Sequence, residues 1–527
     1  GLIAYNSVTK AWKQLHGLSS RGLAFGDVDG NGMADLVVSF GSGAGVWSYR
    51  NGSVWKQLHA TSAISLAMVN HGGMSSVAGT GPIAPEKIAA SLLMDVDMDG
   101  DNDLIVAPMQ GIASTGMVLL NDGSGYFTPL ANALPPHYLG KNGVTVNFAK
   151  INANNDGIPD IIATTVDGSS QNFYGAAKIE LYLGNGDGTF RDASSQIASN
   201  MISGWSEWLL VADFDGDGFQ DFMTTEAVNF GTCNINMFNS PPVSYSGCHG
   251  GRIYLGDGAG NFAPGRITTT DVATNIQDTA IIPLFYDSNL GGAGSVNPAA
   301  KIWPWNILVG DINNDGKIDM VAPTFGTRQV PSFINTSTPG NLSFSVIYSN
   351  TGSSTSAGVL MDVDGDGFLD LVDALAINNS GSGPTTLNVH INNGKGVFTT
   401  DNTRILPAQP SFQHARQWLV ADFNLDNRSD LFVADHGIDA PPFPGAPNLL
   451  MMNNGKGALV NQTAALGFDN TYTHGASVGD VNGDGFPDIF MNNDLQIGKF
   501  NTQAAVPGKR LWLNDGKGGF QPSRQNL

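Results

Sequence analysis

Cysteine is nearly absent from the chain, with two residues, Cys233 and Cys248, in 527. Both fall in one short segment, which favours a local disulfide in an oxidising compartment over two free thiols. Charged residues are also few, at 13%. The 25 basic residues are scattered without a stripe, which argues against nucleic acid as a partner. No apolar stretch approaches the roughly 18 residues of a membrane-spanning helix. No long segment carries the 3.6-residue apolar period of a helical protein. No secretory leader is visible, and Gly1 is not a natural start, as expected of a processed or partial product. Nucleophile-elbow, zinc-protease, phosphate-loop and dinucleotide fingerprints do not occur in a suitable context.

Glycine and aspartate are abundant instead, and they recur together. The stretch Asp213–Asp221 reads DFDGDGFQD, with acidic side chains at positions 1, 3, 5 and 9 and glycine at 6. Carboxylates at alternate positions of a tight loop suit a hard cation such as Ca²⁺, which takes six to eight oxygens. Gly218 permits the turn, position 7 offers its carbonyl, and Asp221 closes the site. Apolar runs flank the loop, so the unit reads strand, cation loop, strand.

The unit recurs eight times, with starts 51 to 98 residues apart and most near 60. Such a period signals a repeat architecture. The ligand positions are Asp27, Asp29, Asn31 and Asp35; Asp95, Asp97, Asp99 and Asp103; Asn152, Asn154, Asp156 and Asp160; Asp213, Asp215, Asp217 and Asp221; Asp311, Asn313, Asp315 and Asp319; Asp362, Asp364, Asp366 and Asp370; Asp422, Asn424, Asp426 and Asp430; and Asp480, Asn482, Asp484 and Asp488. The second, fourth and sixth loops, with four aspartates each, should bind best, and the third should be weaker. The seventh has Asn427 where glycine is expected, a residue that tolerates the left-handed conformation.

Each loop is followed by alternating apolar runs joined by Asn/Asp/Gly turns, such as RIYLGDGAGNF (252–262), VHINNGKGVF (389–398) and LWLNDGKGGF (511–520). These are hairpin signals. Four short strands per repeat, repeated radially, make a propeller blade. The cation loop plus hairpin resembles the FG-GAP/VCBS repeat family, whose members include integrin α-subunit heads and calcium-binding lectins. The resemblance covers nearly the whole chain. It implies an all-β propeller, eight blades preferred and seven allowed, with calcium (up to eight ions) between the first two strands of each blade. It says much less about function.

The net charge of −21 is mostly ligand, because the loops hold more than half of the 46 acidic residues. Without metal these carboxylates repel, so folding should depend on calcium. Weak calcium sites fill outside cells, which points to a secreted or cell-surface protein. Sequons at Asn51, Asn335, Asn341, Asn378, Asn427 and Asn461 would matter in a eukaryotic source.

Residues 1–16 read as a surplus hairpin beside a single propeller domain, 17–527. The hairpin would pack on the ring or pair with a neighbouring subunit. Insertions at about 61–90, 227–250, 268–305, 435–447 and 493–508 fall on connections at the end of the blades away from the cation loops, and loops on a rigid scaffold commonly carry function. That end is the candidate binding surface, for a glycan or an extracellular protein. Trp208, Trp305, Trp418, Trp47, Trp55 and Trp512 fit blade packing. Phe230, Tyr245, Tyr286 and Tyr138 are candidates for ligand stacking. The alternatives are a structural subunit of an extracellular assembly and a polysaccharide lyase using His414 and Arg416, with His71, His249, His436 and His474 able to reach the same face.

Overall fold

The computed structural model describes six strands of residues 2–59 by their backbone. From 88 to 522 it describes all residues except 109–116, 124–126, 137–142, 168–176, 199–200, 203–204, 228–250, 276, 281–300, 303–306, 323, 326–328, 353–356, 375–384, 408–409, 436, 438–444, 464–472, 481–483 and 494–510. Cys233, Cys248, the insertion 61–87 and the aromatics Phe230, Tyr245, Tyr286 and Tyr138 lie outside the described residues.

Each repeat forms an antiparallel sheet whose four strands follow one another in sequence order. In repeat 6 these are Ala357–Met361, Asp370–Ala374, Asn388–Asn392 and Phe398–Thr400. Repeats 2 to 8 supply seven such blades, described with their side chains, in an all-β propeller. Repeat 1 adds a four-stranded sheet of the same order, Leu23–Gly26, Asp35–Phe40, Gly43–Arg50 and Val54–His59, described by its backbone. Leu2–Asn6 and Ala11–Leu15 form an antiparallel pair.

The apolar runs form strands because each blade is covered on both faces. Successive side chains of a strand point to opposite faces. Ile161 therefore packs against Met94, Ile105 and Val118 of repeat 2, while its neighbour Ile162 packs against Leu209, Phe222 and Tyr254 of repeat 4. Six inter-blade cores of this kind follow one another from repeat 2 to repeat 8. A blade buried on both faces carries apolar residues continuously, as in Leu449–Asn453, buried at every position. Aromatic side chains fill the wide spaces, with Phe222 and Tyr254 stacked at 4.7 Å and Phe423 edge-on to Phe520 at 5.5 Å. Trp512 is buried in the core between repeats 7 and 8, and Trp418 meets Phe412 edge-on, so both serve blade packing as expected.

The connection between repeats 4 and 5, which contains the insertion 268–305, includes two strands that join the sheet of repeat 5. Ile267–Asp271 pairs in parallel with the outer strand of repeat 5, Leu342–Asn350, and Gln277–Ala280 pairs outside it. That sheet thus has six strands. The Ile267–Asp271 strand is buried at its two ends and half-buried at the three threonines between, a half-covered strand laid on a blade's outer edge.

At the end of the third strand, two repeats carry glycine where others carry asparagine. Gly184 and Gly256 pair with Phe190 and Phe262, as Asn335, Asn392, Asn453 and Asn514 pair with Phe344, Phe398, Leu459 and Phe520. A Cβ at Gly256 would lie 2.4 Å from the Gln220 carbonyl oxygen, which is backbone and cannot swing aside. Gly256→Ala should therefore destabilise the fold by about 1–3 kcal/mol, read as a lower urea midpoint with an unchanged slope. An unchanged midpoint would mean that the strand end can shift without cost.

Candidate metal centres

The cation loops of repeats 2 to 7 share one hydrogen-bonded frame, and the described part of loop 8 follows it. In loop 4 the Asp213 carboxylate accepts from the Gly216 and Gly218 N–H groups at 2.7 and 2.9 Å. Asp215 accepts from the Asp217 N–H at 3.1 Å, and Asp217 from Phe219 at 2.8 Å. Loop 6 repeats the pattern residue for residue through Asp362, Asp364 and Asp366. The loop is thus a coil of short-range turns that gathers carboxylates on its inside. Gly218 sits at φ 90° with open space around it, so its role is conformational. Asn427, standing in for glycine in loop 7, takes φ 65° and donates its N–H to Asp422 at 2.7 Å, as expected of a residue that tolerates that region.

The ninth position is different in kind. Asp103, Asp160, Asp221, Asp319, Asp370, Asp430 and Asp488 are all 0 or 1% exposed. One oxygen of Asp221 accepts from the Phe214 N–H at position 2, and the other from the Gly256 N–H at the end of the third strand, both at 2.8 Å. The same two bonds recur at Asp103, Asp160, Asp319, Asp370 and Asp430. This carboxylate ties the cation loop to the third strand. A carboxylate has about four lone-pair sites, so each oxygen keeps one for a cation.

Three loops bring at least three carboxylates into one small volume. Oxygens of Asp95, Asp97 and Asp99, of Asp213, Asp215 and Asp221, and of Asp362, Asp364 and Asp366 lie within 4.8 Å of one another in each group. Where position 3 is asparagine, its amide donates to the position-5 carboxylate instead, as Asn313 does to Asp315 at 3.0 Å and Asn424 to Asp426 at 3.1 Å. Loop 2 carries a fifth aspartate, and burial followed by repulsion from Asp99 pushes Asp101 up to about 6. Oδ1 of Asp97 and Oδ1 of Asp101 are buried without a hydrogen-bond partner. Burial, with smaller repulsion from loop neighbours, pushes Asp221, Asp319, Asp370 and Asp430 up to about 7 against two lowering backbone bonds each. Charge-assisted bonds of roughly 1.5–3 kcal/mol apiece therefore leave the ionised groups under-compensated. An all-oxygen donor set with unsatisfied charge fits a hard divalent cation.

Residues Asp27, Asp29 and Asn31 of loop 1 and Asn482 of loop 8 lie outside the described residues, and Asp35 is described as the first residue of a strand. Of the enzymatic candidates, His414 is 6% exposed just before the inner strand Ala415–Ala421, and its backbone N–H donates to Asp435 at 2.8 Å. The side chains of Arg416 and His474, and His71, His249 and His436 entirely, lie outside the described residues. Asn335 is 1% exposed and bonded within the fold, which rules out glycosylation of its side chain in the folded chain.

The strand-ending asparagines were legible only as turn residues, yet they do more. Asn335 Nδ2 donates to the Phe214 carbonyl of the preceding blade's loop at 2.9 Å. Asn392 reaches Ile312, Asn453 reaches Val363 and Asn514 reaches Phe423 at 2.7 to 2.9 Å. The recurrence of Asn before the Gly-rich turn is the signal that could have shown it.

The FG-GAP-like repeat matches the chain four times, at residues 95–161, 152–224, 362–433 and 422–491. Each match begins at or just within a cation loop and runs into the next blade. The chain is an FG-GAP-repeat β-propeller. Solved structures similar to it include the exotype rhamnogalacturonan lyase YesX (15% identity, 97% of this chain and 75% of that one, TM-score 0.40). Others are the V. cholerae biofilm matrix protein Bap1 (12% identity, 91% and 86%, TM-score 0.31) and BBS1N in complex with ARL6DN (11% identity, 79% and 90%, TM-score 0.33). No match was found among curated protein sequences.

The raised carboxylates set a sign for pH dependence. In chelator, Asp221, Asp319, Asp370 and Asp430 hold protons in the folded state that the unfolded chain releases near its ordinary 3.8. Their stabilising contribution is complete below that value and is lost as pH rises toward about 7. Calcium requires the ionised form, so the gap in melting temperature between calcium and chelator should widen from pH 4.5 to 7.5. A constant gap would show that these groups do not titrate with the cation sites.

Proposed function

We propose that the protein is a secreted or surface-exposed, calcium-stabilised propeller whose role is binding, to carbohydrate or to a protein partner. The observation that carries this is the repeated cation-loop frame. The same bonds recur in loop after loop of differing composition, which is the mark of a structural device and leaves recognition to the variable segments. Calcium would be held by the side chains at positions 1, 3, 5 and 9 of each loop. It would neutralise carboxylates that burial and mutual repulsion leave under-compensated.

The topology supports a binding face at the other end. The long connections that join second to third strands depart after Ala227, Asp435 and Asn493 and rejoin at Gly251, Leu449 and Leu511, all away from the cation loops. Residues 228–250, with Cys233 and Cys248, form the longest of these, and a disulfide there would limit its conformations. No helix among the described residues is long and apolar enough to cross a membrane. Among the described residues Leu2–Asn6 and Ala11–Leu15 form a two-stranded sheet, which favours a second reading, an assembly subunit whose hairpin pairs with a neighbour.

Metal analysis of the desalted protein should find up to eight calcium ions per chain, and chelation should lower the melting temperature by ten degrees or more. No bound calcium, or no change on chelation, would remove the metal reading. A variant with 228–250 replaced by a short Gly-Ser linker should keep its calcium and lose binding on glycan and extracellular-protein arrays. Unchanged binding by that variant would move the recognition surface elsewhere.

A further inference from the structure

The cation loops are joined to one another through the strand-ending asparagines. Position 2 of each loop lies between two ligand positions, and its peptide groups are held at both ends. In loop 6 the Val363 N–H donates to Asp370 of the same loop at 2.9 Å, and the Val363 carbonyl accepts from Asn453 Nδ2 of the next blade at 2.9 Å. Asn453 in turn donates its own N–H to Asp430 of loop 7 at 2.7 Å. One residue thus touches two loops, through its backbone to its own and through its amide to the preceding one. Asn335, Asn392 and Asn514 repeat both contacts, at loops 4 and 5, 5 and 6, and 7 and 8. All four are 1 to 4% exposed, so no water can replace the amide at low cost.

Further bonds join neighbouring repeats. Gly340 N–H of repeat 5 donates to Asp215 of loop 4 at 2.7 Å, and Asn314 of loop 5 donates to the Gly367 carbonyl of loop 6 at 3.0 Å. Where glycine replaces asparagine, the position-2 carbonyl is met by backbone instead. Gly188 N–H donates to Val96 and Gly260 N–H to Ala153, at 3.1 and 3.0 Å.

We propose that Asn335, Asn392, Asn453 and Asn514 are positioning residues for the cation loop of the preceding blade, so that loops 4 to 8 take up calcium as a coupled series. The inference rests on the calcium reading above. The amide fixes the peptide between positions 2 and 3, and so helps set the direction of the ligand side chains on either side of position 2, a carboxylate at both in loops 4 and 6 and an asparagine at position 3 in loops 5 and 7. A cation that orders one loop also orders the next blade's third strand, and through its ninth-position aspartate the next loop.

The test is calcium titration by calorimetry on the full chain, with folding checked by circular dichroism at saturating calcium. Asn453→Ala should weaken one site about tenfold, the effect of 1.4 kcal/mol, and flatten the isotherm of the remaining coupled sites. The control is Asn454→Ala, which alters the exposed neighbour whose side chain organises only the hairpin turn. It should bind as the wild type does. Should Asn453→Ala not fold, Asn453→Ser and Asn392→Ser carry the same expectation. Superimposable isotherms for wild type and the asparagine variants would overturn the coupling while leaving the calcium reading intact. A wild type that takes up no calcium would overturn the calcium reading itself.

Discussion

The structure depends on a buried carboxylate that is never alone. The ninth aspartate of loops 2 to 7 sits out of water between its own loop and the third strand of its blade, and two backbone N–H groups meet it. That arrangement turns an eight-residue coil between two strands into a fixed cup. It also makes the cup electrostatically incomplete, because burial and, less strongly, neighbouring aspartates raise the ninth-position carboxylates, to about 7 in loops 4 to 7. The fold thus carries a repeated charge deficit, placed wherever one blade turns from its first strand to its second. Propeller geometry brings these deficits to one end.

Apolar packing and the polar loops divide the work. The cores between blades come from strands covered on both faces, and they set how neighbouring sheets lie against each other. Apolar packing alone tolerates sliding, since it is not directional. The asparagine amides of repeats 5 to 8 and the ninth-position bonds are directional and recur at the same level of successive blades, which helps fix the register between them. The His390–Asp373 pair, fully buried at 3.0 Å within repeat 6, adds a similar polar lock inside one blade.

Much of this was legible in the chain. The period of Asp and Gly marked the loops, and the Asn/Asp/Gly turns marked the hairpins. Both are local signals that depend on neighbours within a few residues. The conformation of Asn427 was equally readable, because it follows from one residue's backbone preference. The burial of His414, the withdrawal of Asn335 from any glycosylation role and the strands added to repeat 5 were not readable. Each depends on contacts with residues beyond the immediate neighbours in sequence.

By itself the sequence determined the repeat, the strand order within it and the carboxylate set of each loop, since spacing and side-chain chemistry are properties of adjacent residues. Only the tertiary structure decided that these loops are joined. The partners of Asn392, Asn453, Asn514 and Asn335 lie 80, 90, 91 and 121 residues away along the chain. No local pattern reports a hydrogen bond across that distance. It forms because blades packed face to face bring the end of one third strand beside the preceding loop.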